Sequence, residues 1–469
     1  MENLITEAYD PEKFRDLAEG LIGILTEELK KAHLQPGETV LPWESPEQQL
    51  AYWQNDFESP APADALELFE KVISKSINVH RRAYIGHQVP PTLPVTILTS
   101  ALMAFLNNGM AVYEMGMAGN AMEKVIISDL AKRFGFGAEA SGFVTSGGTL
   151  GNLSALLAAR TYYLRQYTDV RYEQLAIMVS EEAHYSVSRA FTVMGIPSEN
   201  IIKIPAGNDF SILVDTLEPL YLKSLSESKH IFGVIGCACT TATGAYDNLE
   251  ALADFAEKFR LWFHVDAAHG GAAIFSPDYT HLLKGTERAN SLILDFHKMM
   301  MVPSLSTALI FRSHELSQFT FTQDAQYLWQ DQQADEWYNS GKQTFECTKP
   351  MSILHVYTVM KLYGQHLYRQ NINKLYELAK SFGQMLIESP NFELLCLPQA
   401  NIVCFRYVTA TNDLNALNKE ILKQIIKDGR FYIVSTSIKG GFYLRTALMN
   451  PLTTINDLKQ LLDLIQRLV

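Results

Sequence analysis

Lys298 closes a short apolar run and is followed by three methionines, in the segment ILDFHKMMM. A lysine in such surroundings loses water, and desolvation lowers the pKa of its ammonium group. The neutral amine is the form that attacks carbonyl compounds to give Schiff bases. Lys298 is therefore a candidate nucleophile toward a carbonyl ligand. The alternative is a structural lysine whose stem covers a hydrophobic edge.

Asp266 ends a second apolar run, in the segment LWFHVDAAHGG. Burying a carboxylate at the end of a strand costs free energy unless a cation lies beside it. The protonated nitrogen of a pyridine ring is such a partner, and the pair turns the ring into an electron acceptor. Ala267 and Ala268 would leave space for a flat ring. The alternatives are a helix N-cap and a metal site that also uses His264 and His269.

A turn rich in glycine and hydroxyl groups, TSGGTLGN, contains Ser146, Gly147, Gly148 and Thr149. Glycines let the backbone approach an anion closely, and the free N–H groups at a helix start bind phosphate. The spacing is not that of a P-loop. The turn therefore predicts a phosphate site, with a capped helix after a tight turn as the alternative.

His184 follows the apolar run Leu175–Val179, in the segment SEEAHYSVSRA. A side chain just beyond the carboxyl end of a strand faces the ligand in an open α/β sheet. An imidazole in that place could stack on a pyridine ring. The alternative is a core or capping histidine.

The elements that would position these residues follow from the pattern between residues 95 and 311, where helical patterns alternate with short apolar runs. Such alternation predicts a mostly parallel sheet covered on both faces. The runs are Leu175–Val179, Ile231–Cys237, Trp262–Val265, Ser291–Leu294 and Thr307–Phe311.

We expect three parts along the chain. Residues 1–94 read as helices with proline breaks, and residues 95–348 as the large α/β domain. That domain includes a polar functional loop at about 321–345. Residues 349–469 begin with a long helix and continue as strand-like runs, which predicts a small α+β domain.

Composition limits the function classes. The 469 residues carry a net charge of −12, so a broad nucleic-acid surface is not expected. The most apolar segment, 95–112, is too interrupted for the roughly 20 apolar residues of a membrane span. The five cysteines are scattered, and Cys237 and Cys239, which alternate along an apolar run, read as reduced core thiols. With no signal-peptide pattern at the start, we expect a cytoplasmic protein without a metal.

The motifs SGGTLGN, AHYSVSRA, TTATGAYDN, HVDAAHGG and DFHKMM, in this order, resemble the group II pyridoxal-5′-phosphate (PLP) dependent amino acid decarboxylases. The resemblance runs from about His80 to Pro451. It implies a fold-type I α/β architecture, with helices on both faces of a mostly parallel seven-stranded sheet and a small C-terminal α+β domain. It also implies an amino acid substrate and a homodimer with shared active sites, formed through the N-terminal helices.

The resemblance also implies roles for individual residues. Lys298 would carry PLP as a Schiff base, and Asp266 would pair with the pyridine nitrogen. The ring would lie between His184 and Ala268, near Thr241, with Thr240 and Thr243 as the alternatives in the same turn. Phosphate binding would fall to Gly148, Thr149 and His297, with Ser146 as a helper. Gly147 and Asp295 would also belong to the cofactor site, although an aspartate near a phosphate is repulsive unless it turns away or is hydrogen-bonded.

For the substrate, Arg445 would hold the α-carboxylate and Tyr327 would protonate Cα after CO2 leaves. The residues expected in the side-chain pocket are Tyr84, His87 and Gln88. Two departures from the family pattern stand out. Asp295 precedes His-Lys where many members have Asn-Pro, and Arg81 follows His80 where proline is usual.

The substrate stays open at this level. The segments WQD and DEWY resemble members with acidic substrates, whereas DFHK resembles diaminobutyrate members. The alternative functions are another fold-type I reaction, such as that of a transaminase or carbon–carbon lyase, and a catalytically silent regulatory homologue.

Overall fold

The structure, a computed structural model, describes residues 4–34, 39–60, 64–321, 336–410 and 413–469. Its helices and strands are, in chain order, α1 (Leu4–Ala8), α2 (Pro11–Leu34), α3 (Pro46–Glu58), α4 (Ala65–Ser74), α5 (Pro94–Leu106), α6 (Tyr113–Arg133), β1 (Ser141–Thr145), α7 (Gly148–Gln166), β2 (Leu175–Ser180), α8 (Ser186–Met194), β3 (Ile201–Ile204), α9 (Leu217–Ser226), β4 (His230–Cys237), α10 (Leu249–Phe259), β5 (Trp262–Asp266), β6 (Ser291–Asp295), β7 (Thr307–Phe311), α11 (His314–Ser317), α12 (Ile353–Glu388), β8 (Phe392–Leu394), β9 (Ile402–Tyr407), α13 (Leu414–Asp428), β10 (Val434–Ile438), β11 (Gly441–Ala447) and α14 (Ile455–Leu468).

A seven-stranded sheet in the order β1-β7-β6-β5-β4-β2-β3 carries the large α/β part. Only β7 runs against the other six strands, because it pairs antiparallel with both β1 and β6. The predicted mostly parallel sheet is therefore confirmed. All five apolar runs of the sequence form strands in it.

Two strands of this sheet were not predicted. β1 has the sequence SGFVT and directly precedes the glycine-rich turn, so its short apolar stretch read as part of the turn. β3 has the sequence IIKI, and its exposed Lys203 breaks the apolar run. Both strands lie at the ends of the sheet. An end strand pairs along one edge only, so fewer of its side chains have to be apolar.

The core explains why α7 lies on the sheet. Ala155, Ala158 and Ala159 of α7 belong to one buried cluster with Ile293 of β6 and Leu309 of β7. Alanine side chains let a helix backbone come close to a sheet, and each fully buried Leu or Ile contributes about 1.5–3 kcal/mol. Strands β2, β5, β6 and β7 are buried along their whole length, as expected for a sheet covered on both faces.

The chain divides into two compact units. One comprises Gln88–Gly383 and Cys396–Val403 and contains the seven-stranded sheet. The other comprises Met1–His87, Gln384–Leu395 and Cys404–Val469. A four-stranded sheet in the order β10-β11-β9-β8 belongs to this C-terminal part. The boundaries expected near residues 94 and 348 stay a prediction.

The apolar segment 95–112 contains α5, which ends at Leu106, and Asn107 follows in the left-handed conformation with φ 47°. Within the described ranges, no helix combines the length and apolar character that crossing a bilayer requires.

The sheet places three titratable side chains together at one edge. Cys237, Asp266 and Asp295 are the last residues of the neighbouring strands β4, β5 and β6. Helix α7 begins at Gly148, three residues after the end of β1. Carboxyl ends of parallel strands form the ligand-binding edge of open α/β sheets, so this edge is the place to look for a site.

Candidate active site

A cavity of about 290 Å³ lies at this edge, entirely within the unit that holds the seven-stranded sheet. Its volume is at the lower end of the range for small-molecule sites. It is lined by all residues that the sequence predicts to bind a cofactor: Ser146, Gly147, Gly148, Thr149, His184, Thr241, Asp266, Ala268, Asp295, His297 and Lys298.

Asp266 is held at both carboxylate oxygens. The backbone N–H of Ala268 donates to Oδ1 at 3.2 Å, and the side-chain amide of Asn152 donates to Oδ2 at 2.9 Å. Only 9% of the residue is exposed. A carboxylate has about four lone-pair sites, so two remain for a cationic N–H group.

Lys298 makes an ion pair that the sequence did not anticipate. Its Nζ lies 2.9 Å from Oδ2 of Asp295, and the Thr307 hydroxyl donates to Oδ1 of the same carboxylate at 2.5 Å. Burial alone would lower the pKa of Lys298, but the Asp295 carboxylate outweighs burial and raises it. The expectation of a lowered lysine pKa is therefore wrong for the protein without a ligand.

The same contact explains how an aspartate is tolerated here. Burial would raise the pKa of Asp295, but the Lys298 ammonium and the neighbouring His297 hold it below its usual value. The Thr307 hydroxyl adds a hydrogen bond to the charged form. Hydrogen bonding and a cation both favour an ionised carboxylate in a buried place.

The start of α7 forms the anion-binding part of the cavity. Gly147 is the N-cap of this helix and has φ 113°, a conformation that glycine adopts without steric cost. It offers no side-chain cap, so the first N–H groups of α7 stay available for an anion. A Cβ on Gly148 would lie 3.1 Å from Oδ1 of Asp295, so backbone and carboxylate are close. The Ser146 hydroxyl donates to Glu346 at 2.6 Å.

Three further predicted residues complete the lining. Burial lowers the pKa of His184, although the Asp266 carboxylate opposes this shift. Nδ1 of His297 lies 2.9 Å from the carbonyl oxygen of Ser306. The hydroxyl groups of Thr240 and Thr243 lie 2.9 Å apart and are hydrogen-bonded to each other.

The cavity also contains residues that the sequence analysis did not assign to the cofactor. Asn152 carried a usable signal, since it stands one helical turn after Gly148 in the motif SGGTLGN. The additional lining residues are Asn152, Cys237, Cys239, Thr240, His269 and Leu305.

The predicted substrate-binding residues lie elsewhere in the chain. Tyr84, His87 and Arg445 belong to the other unit, where the Tyr84 and His87 rings lie 5.5 and 5.7 Å from that of Tyr432. Gln88 belongs to the unit with the cavity. Tyr327 lies outside the described residues.

The metal alternative finds no support. His264 bonds to Asn152 and Ser291 through its two ring nitrogens, and Nε2 of His269 lies 2.7 Å from Oδ1 of Asn401. In the parts of the chain that the structure describes, no group of three or more His, Cys, Asp or Glu could hold a metal ion.

The donor set fits PLP. A helix start with a glycine cap suits a phosphate. A buried carboxylate with spare lone pairs suits a pyridinium nitrogen, and a lysine in the same cavity suits the carbonyl group. Asp266, Lys298 and the Gly147 turn thus supply one partner each for the pyridine nitrogen, the aldehyde and the phosphate of this cofactor.

Residues 61–408 match the family model of the pyridoxal-dependent decarboxylase conserved domain. The match covers most of the chain. This chain belongs to the pyridoxal-dependent decarboxylase family.

Relatives and solved structures agree with this assignment. The chain is 28% identical over 394 residues to an L-aspartate decarboxylase of Metarhizium robertsii, covering 81% of this chain and 78% of the relative. It is 28% identical over 413 residues to an aromatic-L-amino-acid decarboxylase of Bacillus atrophaeus, covering 87% and 85%.

Among solved structures, the chain resembles the glutamate decarboxylase domain of a diaminobutyrate-pyruvate transaminase and L-2,4-diaminobutyrate decarboxylase from Vibrio parahaemolyticus. The TM-score is 0.84 at 25% identity, covering 97% of this chain and 95% of that chain. The chain is thus a PLP-dependent carboxy-lyase of the amino acid decarboxylase type. The transaminase, carbon–carbon lyase and silent-homologue alternatives are not favoured.

Proposed function

We propose that this decarboxylase converts an L-amino acid to its amine and CO2, with Lys298 as the residue that binds PLP covalently. The observation that carries the proposal is the single cavity that contains Lys298, Asp266, His184 and the start of α7. When bound, PLP supplies an electron acceptor for the pair released as the bond from Cα to the carboxylate breaks.

The chain's residues have separate tasks in this proposal. Asp266 binds the pyridine N–H, and its two existing hydrogen bonds fix the carboxylate for that contact. His184 and Ala268 bound the ring on its two faces. The free N–H groups at the start of α7, with Thr149 and His297, bind the phosphate.

Asp295 has a task toward Lys298. Its carboxylate lies 2.9 Å from Nζ and holds the ammonium form in the protein without PLP. The amine must lose a proton before it can attack a carbonyl carbon. Asp295 therefore opposes the loss of that proton, and Nζ reacts only in the molecules whose proton has passed to solvent.

For the substrate, we propose Arg445 as the partner of the α-carboxylate, because a guanidinium binds a carboxylate in a bidentate manner. Arg445 is 5% exposed, and burial, reinforced by the Arg445 charge, lowers the pKa of His87. A neutral His87 beside Tyr84 suits the recognition of a side chain. Nε2 of Gln88 is buried without a hydrogen-bond partner among the described residues, so it could bind a polar substrate group. Tyr327 stays the candidate proton donor to Cα, on the resemblance alone.

We further propose a homodimer, supported by an apolar face on α5. Leu98, Leu102 and Phe105 stand on one face of this helix and are 56%, 46% and 79% exposed. An exposed apolar face of this kind marks an interaction surface. The cytoplasmic location expected from the sequence stays a prediction.

The test is CO2 release from the purified protein with PLP. Because the names of the relatives span acidic, aromatic and diamino substrates, the panel contains the standard amino acids, 2,4-diaminobutyrate and dihydroxyphenylalanine. We expect release from one or a few of these. Lys298→Ala should reduce the rate by at least about a thousandfold, since it removes the nucleophile.

Lys284→Ala is the control, because Lys284 is exposed in an ion pair with Glu250 and should leave the rate unchanged. Unchanged CO2 release in Lys298→Ala would contradict the assignment of the lysine. No release from any substrate would contradict the proposed reaction.

A further inference from the structure

A row of buried polar side chains extends from Asp266 into the protein core. Asn152, His264, Ser291 and Trp262 are 2%, 1%, 0% and 3% exposed. The Asn152 side chain lies 2.9 Å from Asp266 and 2.9 Å from His264. The Ser291 hydroxyl lies 2.8 Å from His264 and 2.9 Å from Trp262. We call these four residues the Asp266 relay.

The secondary structure explains how the relay forms. Trp262, His264 and Asp266 are alternate residues of β5 and therefore point to the same face of the sheet. Ser291 is the register partner of His264 on the neighbouring strand β6. Asn152 comes from α7, so three elements meet behind the carboxylate.

Every hydrogen bond in the relay has a defined direction. Asp266 only accepts, so the amide nitrogen of Asn152 must face it and the amide oxygen must face His264. Nε2 of His264 therefore carries the hydrogen. Burial lowers the pKa of His264 to about 4, so the ring is neutral and Nδ1 accepts from the Ser291 hydroxyl. The indole of Trp262 can only donate, and it donates to Ser291.

All four donors thus point toward Asp266. Hydrogen bonds that run in one direction polarise one another, and low dielectric surroundings strengthen the effect. The second amide hydrogen of Asn152 donates to Ser186 at 2.8 Å, so the hydrogen-bonding groups of Asn152 are all used. Both amide hydrogens of Asn152 are therefore engaged, and we expect the relay to act on the ligand through the carboxylate.

We propose that the Asp266 relay is a positioning device that fixes the Asp266 carboxylate in the orientation that binds the pyridine nitrogen. The proposal rests on the proposed pairing of Asp266 with that nitrogen. Asn152, His264, Ser291 and Trp262 are positioning residues, since none of them has to contact the ring nitrogen.

The test compares two ligands that differ only at the ring nitrogen. The dissociation constants of PLP and of its 1-deaza analogue, in which CH replaces the nitrogen, are measured with cofactor-free protein by equilibrium dialysis. The wild-type protein should prefer PLP. Ser291→Ala should reduce that preference about threefold, and His264→Leu about tenfold, because the hydrogen bonds that these changes remove join neutral groups, whose net effects are of about this size.

Affinity for the deaza analogue should change little in both variants. His264→Gln keeps one donor and one acceptor and should restore most of the preference. Ser154→Ala is the matched control, since this buried hydroxyl of α7 bonds only to the Leu150 carbonyl oxygen, at 2.8 Å, and lies outside the relay. Ser291→Ala removes a single oxygen atom and keeps the test valid if His264→Leu does not fold.

Equal losses of affinity for both ligands in Ser291→Ala would overturn the proposal, because the relay would then serve the fold alone. Asp266→Ala separates this failure from a failure of the proposed pairing. If Asp266→Ala itself leaves the preference for PLP intact, the pairing of Asp266 with the ring nitrogen is wrong. If Asp266→Ala removes the preference while the relay variants keep it, only the relay is wrong.

Discussion

At the scale of single residues, the ion pair between Asp295 and Lys298 controls when the lysine can react. The carboxylate raises the pKa of Lys298 against the effect of burial, so it keeps Nζ protonated up to a higher pH. Asp295→Asn removes the charge and keeps the shape. We expect the pH at which Lys298 becomes nucleophilic to move downward, and covalent capture of a carbonyl ligand at neutral pH to become faster. Each pKa unit corresponds to about a tenfold change in the neutral fraction.

The measurement is the rate at which cofactor-free protein forms a borohydride-reducible bond to pyridoxal, followed across pH by mass spectrometry. Pyridoxal lacks the phosphate, so the removal of charge repulsion between Asp295 and phosphate does not enter the result. Lys298→Ala is the control that must show no capture. A pH profile that is the same in Asp295→Asn and wild type would contradict this account of Lys298.

At the scale of elements, the start of α7 depends on the backbone of Gly147. Its φ of 113° is costly for a residue with a side chain, although a Cβ there would meet only Leu305, at 3.6 Å. We expect Gly147→Ala to lower the free energy of unfolding by about 1–3 kcal/mol. Because the strain falls on the proposed phosphate site, PLP should lose more affinity than pyridoxal.

Urea denaturation and ligand titration measure these two effects. The control is Gly137→Ala, since a Cβ on Gly137 has no atom within 4 Å and its φ is not in the left-handed region. That variant should change stability by less than about 0.5 kcal/mol. Equal losses for PLP and pyridoxal in Gly147→Ala would argue against phosphate binding at this turn.

At the scale of the whole molecule, the apolar face of α5 predicts self-association. Phe105→Glu places a charge on a side chain that is 79% exposed, so it should not disturb the fold of the chain itself. We expect the wild-type protein to sediment at twice the chain mass of 52.7 kDa. The variant should shift toward the monomer and lose activity, if the sites are shared between subunits.

Leu222→Glu is the control, because Leu222 is also exposed, at 53%, but lies on α9. Sedimentation velocity at several concentrations measures both variants. A wild-type monomer with full activity would contradict the dimer and the shared site together. A Phe105→Glu dimer would contradict only the assignment of α5 to the interface.

The sequence by itself determined five of the seven strands of the sheet and most of the lining of the candidate site. Strands that are buried on both faces must be apolar along their length, so runs such as Trp262–Val265 are visible in the sequence. Side chains that follow such runs, including Asp266 and His184, fall at one edge because parallel strands end together. The helix start at Gly148 was visible for a similar reason, since its glycines and hydroxyls are local in the chain.

Only the tertiary structure decided the partners of these side chains. Thr307 and Ser291 lie far along the chain from the residues that they contact through β6, β7 and β5, and their types are common in any strand. The raised pKa of Lys298 likewise depends on a 2.9 Å contact with Asp295. Asp295 stands only three residues before Lys298, but the sequence does not show whether the two side chains turn toward each other. Apolar periodicity is a property of the chain, whereas hydrogen bonds and ion pairs between side chains depend on distances that packing alone fixes.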